Sequence, residues 1–189
     1  MTRIIAGAAG SLALAVPDAG TRPTSDRVRE SLFGALESSD LVVGAAVLDL
    51  YAGSGALGLE AISRGAARAD LIERSPRAAS VAERNAVAVT KAVRGGVARV
   101  HRAAVDAYLR AASTTYDLVF VDPPYDLDDE ALAVTLTLLV PRLTDDALVI
   151  VERATRSGAP TLPLGLESLR TKKYGDTTMW WIARAASDD

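Results

Sequence analysis

Apolar residues along the chain fall into short continuous runs separated by stretches with helical spacing. Ala46–Tyr51, Asp70–Glu73, Val97–Arg102, Asp117–Val121 and Ala147–Glu152 read as strands. Between them, Asp26–Ser38, Ala56–Arg64, Pro76–Thr90, Asp106–Ala112 and Asp128–Val140 read as helices. Val28, Leu32 and Leu36 share one face of the first, and Leu132, Leu136, Leu139 and Val140 lie along the last. Apolar strands alternating with helices predict an α/β fold whose mostly parallel sheet is covered on both faces. The final stretch changes character: Ser168–Tyr174 and Thr177–Ala183, around Gly175-Asp176, predict a hairpin adding antiparallel strands at the sheet edge. At the other end, Arg3–Ala6 and Leu12–Val16 flank a Gly/Ala/Ser turn and read as an N-terminal β-hairpin. A signal peptide fits less well, because Gly7, Gly10 and Ser11 interrupt the apolar run and a single positive charge precedes it. No other apolar run approaches the roughly 18 residues of a membrane span, so a cytoplasmic chain without membrane contact is expected.

At 189 residues the chain fits one domain, with residues 1–20 as a hairpin extension and 21–189 as the core. With 21 basic residues against 24 acidic ones, the net charge of -3 gives no global basic field that would announce a nucleic acid. The absence of cysteine excludes disulfides, thiolate metal sites and cysteine nucleophiles. A single histidine, His101, excludes a multi-histidine metal site and reads as structural. No metal is expected.

Two motifs carry chemistry. The segment Val47–Gly58 reads as strand, glycine turn and helix start, with Gly53, Gly55 and Gly58 in a G-x-G-x-x-G pattern. Glycines let a ligand approach the backbone, and the helix start offers unpaired N–H donors. Glu73, twenty residues past Gly53 at the end of the second core strand, is placed to accept both ribose hydroxyls of an adenosine cofactor. Asp49 precedes the loop. A carboxylate there suits a cofactor bearing ammonium and sulfonium groups, such as S-adenosylmethionine, better than a pyrophosphate; alternatively it braces the loop.

The second motif, Asp122-Pro123-Pro124-Tyr125, follows the apolar run Leu118–Val121 and so sits at the carboxyl end of a strand, where open α/β sheets bind ligands. The prolines stiffen the backbone and free nearby carbonyls as fixed acceptors. The Asp122 carboxylate and Pro123 carbonyl can each accept one N–H of a nucleobase amine, localising its lone pair for attack on a methyl group. Tyr125 can stack on the base. The motif points to amine methylation and leaves adenine N6, cytosine N4 and guanine N2 open.

With these motifs in place, the chain resembles the RsmD family of bacterial 16S rRNA (guanine-N2)-methyltransferases. The resemblance runs through Arg3–Gly7, Arg22–Glu30, Leu48–Gly65, Asp117–Tyr125 and Lys173–Thr177. It implies a class I S-adenosylmethionine-dependent, Rossmann-like methyltransferase fold of seven strands, the last two antiparallel, with an N-terminal hairpin. It also implies a guanine of 16S rRNA, in the small ribosomal subunit or an assembly intermediate, as substrate, and S-adenosylhomocysteine as product. Carried over by position, Asp49, Gly53, Ser54, Gly55 and Glu73 would touch the cofactor, and Asp106 would lie near the adenine amine. Asp122, Pro123, Pro124 and Tyr125 would form the target site. The chain departs from the family pattern at Tyr51, a position often filled by Phe, and in a first hairpin depleted of basic residues (Ala8, Ala9, Ser11, Ala13).

RNA contacts depend on local charge density, because phosphates act within a Debye length of about 8–10 Å. Arg22, Arg27 and Arg29 near the first helix, Arg153 and Arg156 after the fifth core strand, and Arg170, Lys172 and Lys173 in the terminal hairpin are the basic clusters. Arg22, Arg27, Arg29, Lys172 and Lys173 are the expected RNA contacts, in a chain expected to act as a monomer. The competing functions are another nucleic-acid amine methyltransferase, a nicotinamide-dependent oxidoreductase, for which Asp122–Tyr125 has no use, and a non-catalytic ribosome assembly factor.

Overall fold

A computed structural model describes residues 2–17 and 25–185. Its central sheet has seven strands: β3 (Ala46–Leu50), β4 (Arg68–Ile72), β5 (Val97–His101), β6 (Tyr116–Val121), β7 (Leu143–Ala154), β8 (Leu166–Tyr174) and β9 (Thr177–Arg184). They lie in the order β5-β4-β3-β6-β7-β9-β8, and the five strands from β5 across to β7 are mutually parallel. β9 pairs antiparallel with both β7 and β8. Only the final strand therefore runs against the sheet. The terminal hairpin extends the sheet beyond β7 as the sequence predicts, with β9 inserted between β7 and β8 and β8 outermost. Burial follows position: β9 buries Met179, Trp181 and Ile182, whereas β8 is exposed from Glu167 to Lys173.

Among the described residues, five helices, α1 (Asp26–Glu37), α2 (Ala56–Ser63), α3 (Pro76–Ala92), α4 (Val105–Ala111) and α5 (Asp129–Leu139), cover the sheet. Their starts are written in the sequence: Ser25, Ser75 and Asp128 accept hydrogen bonds from the amides of Val28, Ala78 and Ala131, and Pro76 opens α3. Leu32, Phe33 and Leu36 of α1 pack on one face of the sheet, with the rings of Phe33 and Phe120 5.6 Å apart. Leu132, Leu136 and Leu139 of α5 pack on the other face with Val119, Val121, Val149 and Val151. The core elements match the sequence expectation to within a few residues. β4 is shifted toward the N-terminus, so Glu73 stands just beyond its carboxyl end, and β7 begins earlier than the apolar run, carrying the exposed Asp145 and Asp146.

The N-terminal hairpin is present in reduced form: β1 (Thr2–Arg3) pairs with β2 (Ala13–Leu14), and the segment between them lies on α2. Glu60 of α2, fully buried, accepts the amides of Ile5 and Ala6, while the Ser63 carbonyl accepts the amide of Ala8. Gly7 is obligatory there, because a Cβ would sit 2.0 Å from the Ser63 carbonyl oxygen at a φ of +83°. Glu60 also binds Arg64 at 2.7 Å and faces Arg29 at 3.8 Å. Arg29 donates in turn to the carbonyls of Arg3 and Ala56 and to Asp26.

Arg29, expected on the RNA surface, is 0% exposed. Its charge is spent on tying α1, the N-terminal strand and the start of α2 together, and no face remains for a phosphate. Removing one member of such a buried cluster strands the others without partners, which costs about 3–5 kcal/mol. Glu60→Ala is accordingly expected to lower unfolding free energy by about that much in urea titrations, and to expose residues 2–17 to protease before the rest of the chain.

Candidate active site

The carboxyl ends of β3, β4, β5 and β6 meet along one edge of the sheet. Leu50 is in register with Ile72 on one side and Val121 on the other, and Ile72 with His101. The glycine loop, Glu73, Asp106 and Asp122 all follow these positions and therefore lie on the same side of the molecule.

Leaving β3, the backbone reverses through left-handed conformations at Tyr51 (φ +62°), Gly53 (+56°) and Gly55 (+80°). Gly55 is the N-cap of α2 and supplies no side-chain acceptor to the first turn. A Cβ on Gly53 would meet nothing within 4 Å, so the loop presents open backbone. Gly58 is required for a different reason: a Cβ there would come within 2.7 Å of Leu71 and 3.2 Å of Asp49. Glu73 closes the loop, accepting from the amide of Gly53 at 3.0 Å and from that of Ser75 at 2.7 Å. Asp49 is 1% exposed and accepts from the Gly58 amide at 2.9 Å, so it braces the turn.

Burial pushes the Asp49 carboxyl up to about 7; the Gly58 amide pulls it down and the charge of Glu73 adds to the rise. Two further acids at this edge, Glu73 and Asp106, suit a cationic adenosine ligand better than a pyrophosphate. The open loop, the donors of α2 and the half-buried Glu73 thus fit S-adenosylmethionine.

Two side chains that the sequence did not single out hold this region. Asn85 of α3 donates to the carbonyls of Ala15 and Ser54 and accepts from the Ala15 amide, linking the N-terminal segment to the glycine loop. Thr135 of α5 donates to Asp106 at 3.2 Å and pairs with the Tyr51 hydroxyl at 3.0 Å, so the tyrosine's extra oxygen helps to fix Asp106. Both are polar residues on otherwise apolar helix faces, the signal by which they can be found. His101, read as structural from the sequence, pairs with Asp70 at 2.7 Å in a network with Tyr116 and Tyr108.

Asp122–Pro124 leaves β6 without regular structure and enters a turn over Pro124–Leu127, where the Leu127 amide donates to the Pro124 carbonyl. The motif lines a small cavity with Leu132, Glu152, Arg153 and Thr177. A larger cleft of about 630 Å³ adjoins it, walled by Tyr125, Glu152, Ser25 and Val28 of the α1 start, and the β8–β9 turn Tyr174–Thr177. Tyr125 is 65% exposed at its mouth.

Of the expected RNA contacts, Arg27, Lys172 and Lys173 are exposed. Lys172 donates to Ser31 of α1 at 2.9 Å, which brings the helix of Arg27 and the outermost strand together. Arg170 stacks 3.8 Å from the Trp181 ring. Arg22 lies outside the described residues. Arg153, grouped with the basic surface residues in the sequence, is buried inside β7 and paired with Asp129 at the start of α5. Among the described residues, no group of histidine, aspartate or glutamate could hold a metal ion, and no helix is long and apolar enough to cross a membrane.

A buried acid whose folded value is raised binds its proton more tightly in the folded state than in the unfolded chain. Its contribution is favourable at low pH and declines as pH rises from about 4 to about 7, the ordinary and the shifted Asp49 values. Asp49→Asn keeps an acceptor for Gly58 and removes the ionisation. The fall in urea-unfolding stability between these pH values is expected to be shallower in the variant than in the wild type.

The family model described as "Conserved hypothetical protein 95" matches residues 2–183. Ribosomal RNA small subunit methyltransferase D of Escherichia coli strain K12 is 42% identical over 190 residues, covering 99% of this chain and 92% of that protein. The solved structure of Escherichia coli yhhF superposes with a TM-score of 0.84 at 37% identity, covering 98% of this chain and 99% of the other. A hypothetical protein from Thermus thermophilus gives 0.81 at 30% identity, over 98% and 100%. The architecture is that of the class I S-adenosylmethionine-dependent methyltransferases, and on this full-length similarity the chain belongs to the RsmD family.

Proposed function

We propose that this protein transfers the methyl group of S-adenosylmethionine to the exocyclic N2 amine of a guanine in the 16S RNA of the small ribosomal subunit. The observation that carries this reading is the register of β3 with β6, which sets the glycine loop and Asp122–Tyr125 side by side. The relative named for small-subunit ribosomal RNA methylation supports the substrate class.

Glu73 and the amides of the Gly53–Gly55 loop would hold the cofactor's ribose and methionine ends, with Ser54 on the loop and Asp106 toward the adenine. Asp49 would act through the loop it braces. S-adenosylmethionine supplies an already activated methyl group on a sulfonium.

The protein's own work is then positioning. The Asp122 carboxylate and the Pro123 carbonyl accept the two N–H bonds of the target amine, turning its lone pair out of conjugation with the ring. Pro123 and Pro124 fix that geometry, and Tyr125 covers the face of the base. After the nitrogen–carbon bond forms, the surplus proton leaves to Asp122 or to water. Arg27, Lys172 and Lys173 form a basic flank beside the cleft for the RNA backbone, with Arg22 assigned to the same role by its place in the Arg22–Glu30 motif.

The test is tritiated methyl transfer to small subunits from a strain lacking this modification. Asp122→Ala is expected to bind S-adenosylhomocysteine within about threefold of wild type and to lose at least about a hundredfold in kcat. Comparable turnover of the two proteins contradicts the assignment. Glu73→Ala is expected to show the opposite pattern. Its affinity for S-adenosylhomocysteine by calorimetry falls about tenfold or more, the loss of a charged hydrogen-bond acceptor, while the target amine is held as before.

A further inference from the structure

A second carboxylate stands in the target cleft, and none of the steps above uses it. Val121 of β6 is in register with Val151 of β7, so Asp122 and Glu152 are the next residues along two neighbouring parallel strands. Both line the small cavity together with Pro123 and Tyr125. Glu152 alone of the two also lines the larger cleft, again with Tyr125. It lies within β7, paired across to Met179 of β9, so its backbone is fixed by sheet rather than carried on a loop.

We propose that Glu152 is a specificity-determining residue that selects guanine by accepting its N1–H while Asp122 and the Pro123 carbonyl hold the N2 amine. Every amino-substituted base offers N–H donors, so Asp122 and Pro123 cannot tell guanine from adenine or cytosine. The ring nitrogen beside the amine can. In guanine it carries a hydrogen, and two adjacent positions on one edge are donors. In adenine and cytosine the equivalent nitrogen carries a lone pair. An ionised carboxylate only accepts. Facing N1–H it gains a charge-assisted hydrogen bond; facing a bare ring nitrogen it meets a second acceptor. Asp122 has the shorter side chain and Glu152 the longer one, so two acceptors rooted on adjacent strands, about 4.8 Å apart, can converge on neighbouring atoms of one base. The choice of base that Asp122–Tyr125 leaves open is thereby made one strand further along the sheet.

This inference rests on the guanine-N2 reading, and the experiment separates the two. The full-length enzyme is assayed on small-subunit RNA whose target nucleotide is either guanosine or 2-aminopurine riboside. The analogue keeps the N2 amine but has a bare N1 and lacks O6. Wild type is expected to favour guanosine in kcat/KM. Glu152→Gln retains an acceptor for N1–H and gains a donor for a bare N1, so the preference should fall at least tenfold. The missing O6 affects both enzymes alike and cancels in the ratio. Glu152→Ala, which has neither acceptor nor charge, should narrow the preference as well. S-adenosylhomocysteine affinity within about threefold of wild type reports an intact fold for either variant. A wild-type ratio in a folded variant overturns the role of Glu152 alone. A wild-type enzyme that methylates neither target, or that modifies adenine or cytosine instead, overturns the guanine reading and this inference together.

Discussion

The parallel pairing of β3 with β6 is the constraint on which the site depends. Four residue pairs, from Val47 with Leu118 to Leu50 with Val121, lock two strands that are distant in sequence. All eight of these residues are almost completely buried, so sliding the register would move charged or turn residues into the core. Because each strand ends in a motif, fixing the register also fixes the distance between the motifs. The glycine loop at one strand end and the Asp-Pro-Pro-Tyr turn at the next then need no loop flexibility to meet. A reaction whose rate comes from alignment gains most from such rigid placement.

The N-terminal segment belongs to the same construction. Its backbone amides are accepted by Glu60 and by the Ser63 carbonyl and side chain on α2, the helix that starts at the glycine loop. Asn85 bonds Ala15 and the Ser54 carbonyl at once, and Arg29 reaches both the Arg3 and the Ala56 carbonyls. Two side chains thus connect the hairpin directly to the backbone of the loop. The hairpin carries few basic residues, and its strongest observable role is mechanical. It buttresses the loop, while the exposed basic residues Arg27, Lys172 and Lys173 lie along α1 and the outermost strand.

Much of this was legible in the sequence, because strand runs, helix faces and both motifs are local patterns. The strand–loop–helix of residues 46–63 and the turn after β6 needed only glycine, proline and apolar spacing. Asp49 was legible as an acid beside the loop, but its burial and its bond to Gly58 depend on how α2 closes over β3. Arg29 was misplaced for a related reason: a helical arginine beside other basic residues looks solvated until the buried carboxylate of Glu60, thirty-one positions away, is brought against it. The insertion of β9 between β7 and β8 is likewise a matter of tertiary packing. The hairpin was visible, whereas the choice of which strand takes the inner place follows from the apolar pair Met179 and Trp181 finding α1 above them. Glu152 escaped notice because a charged residue ending an apolar strand is ordinary; it acquires meaning only from the neighbour that the sheet gives it.

The account stands on the glycine loop and the Asp122 turn being two halves of one site. A crystal structure of the protein with S-adenosylhomocysteine tests this most directly. The predicted result is adenosine hydroxyls on Glu73, the ligand backbone along residues 52–55, and the thioether sulfur facing the space beside Asp122 and Pro123. A ligand bound away from the loop, or one whose sulfur points away from Asp122, would contradict it.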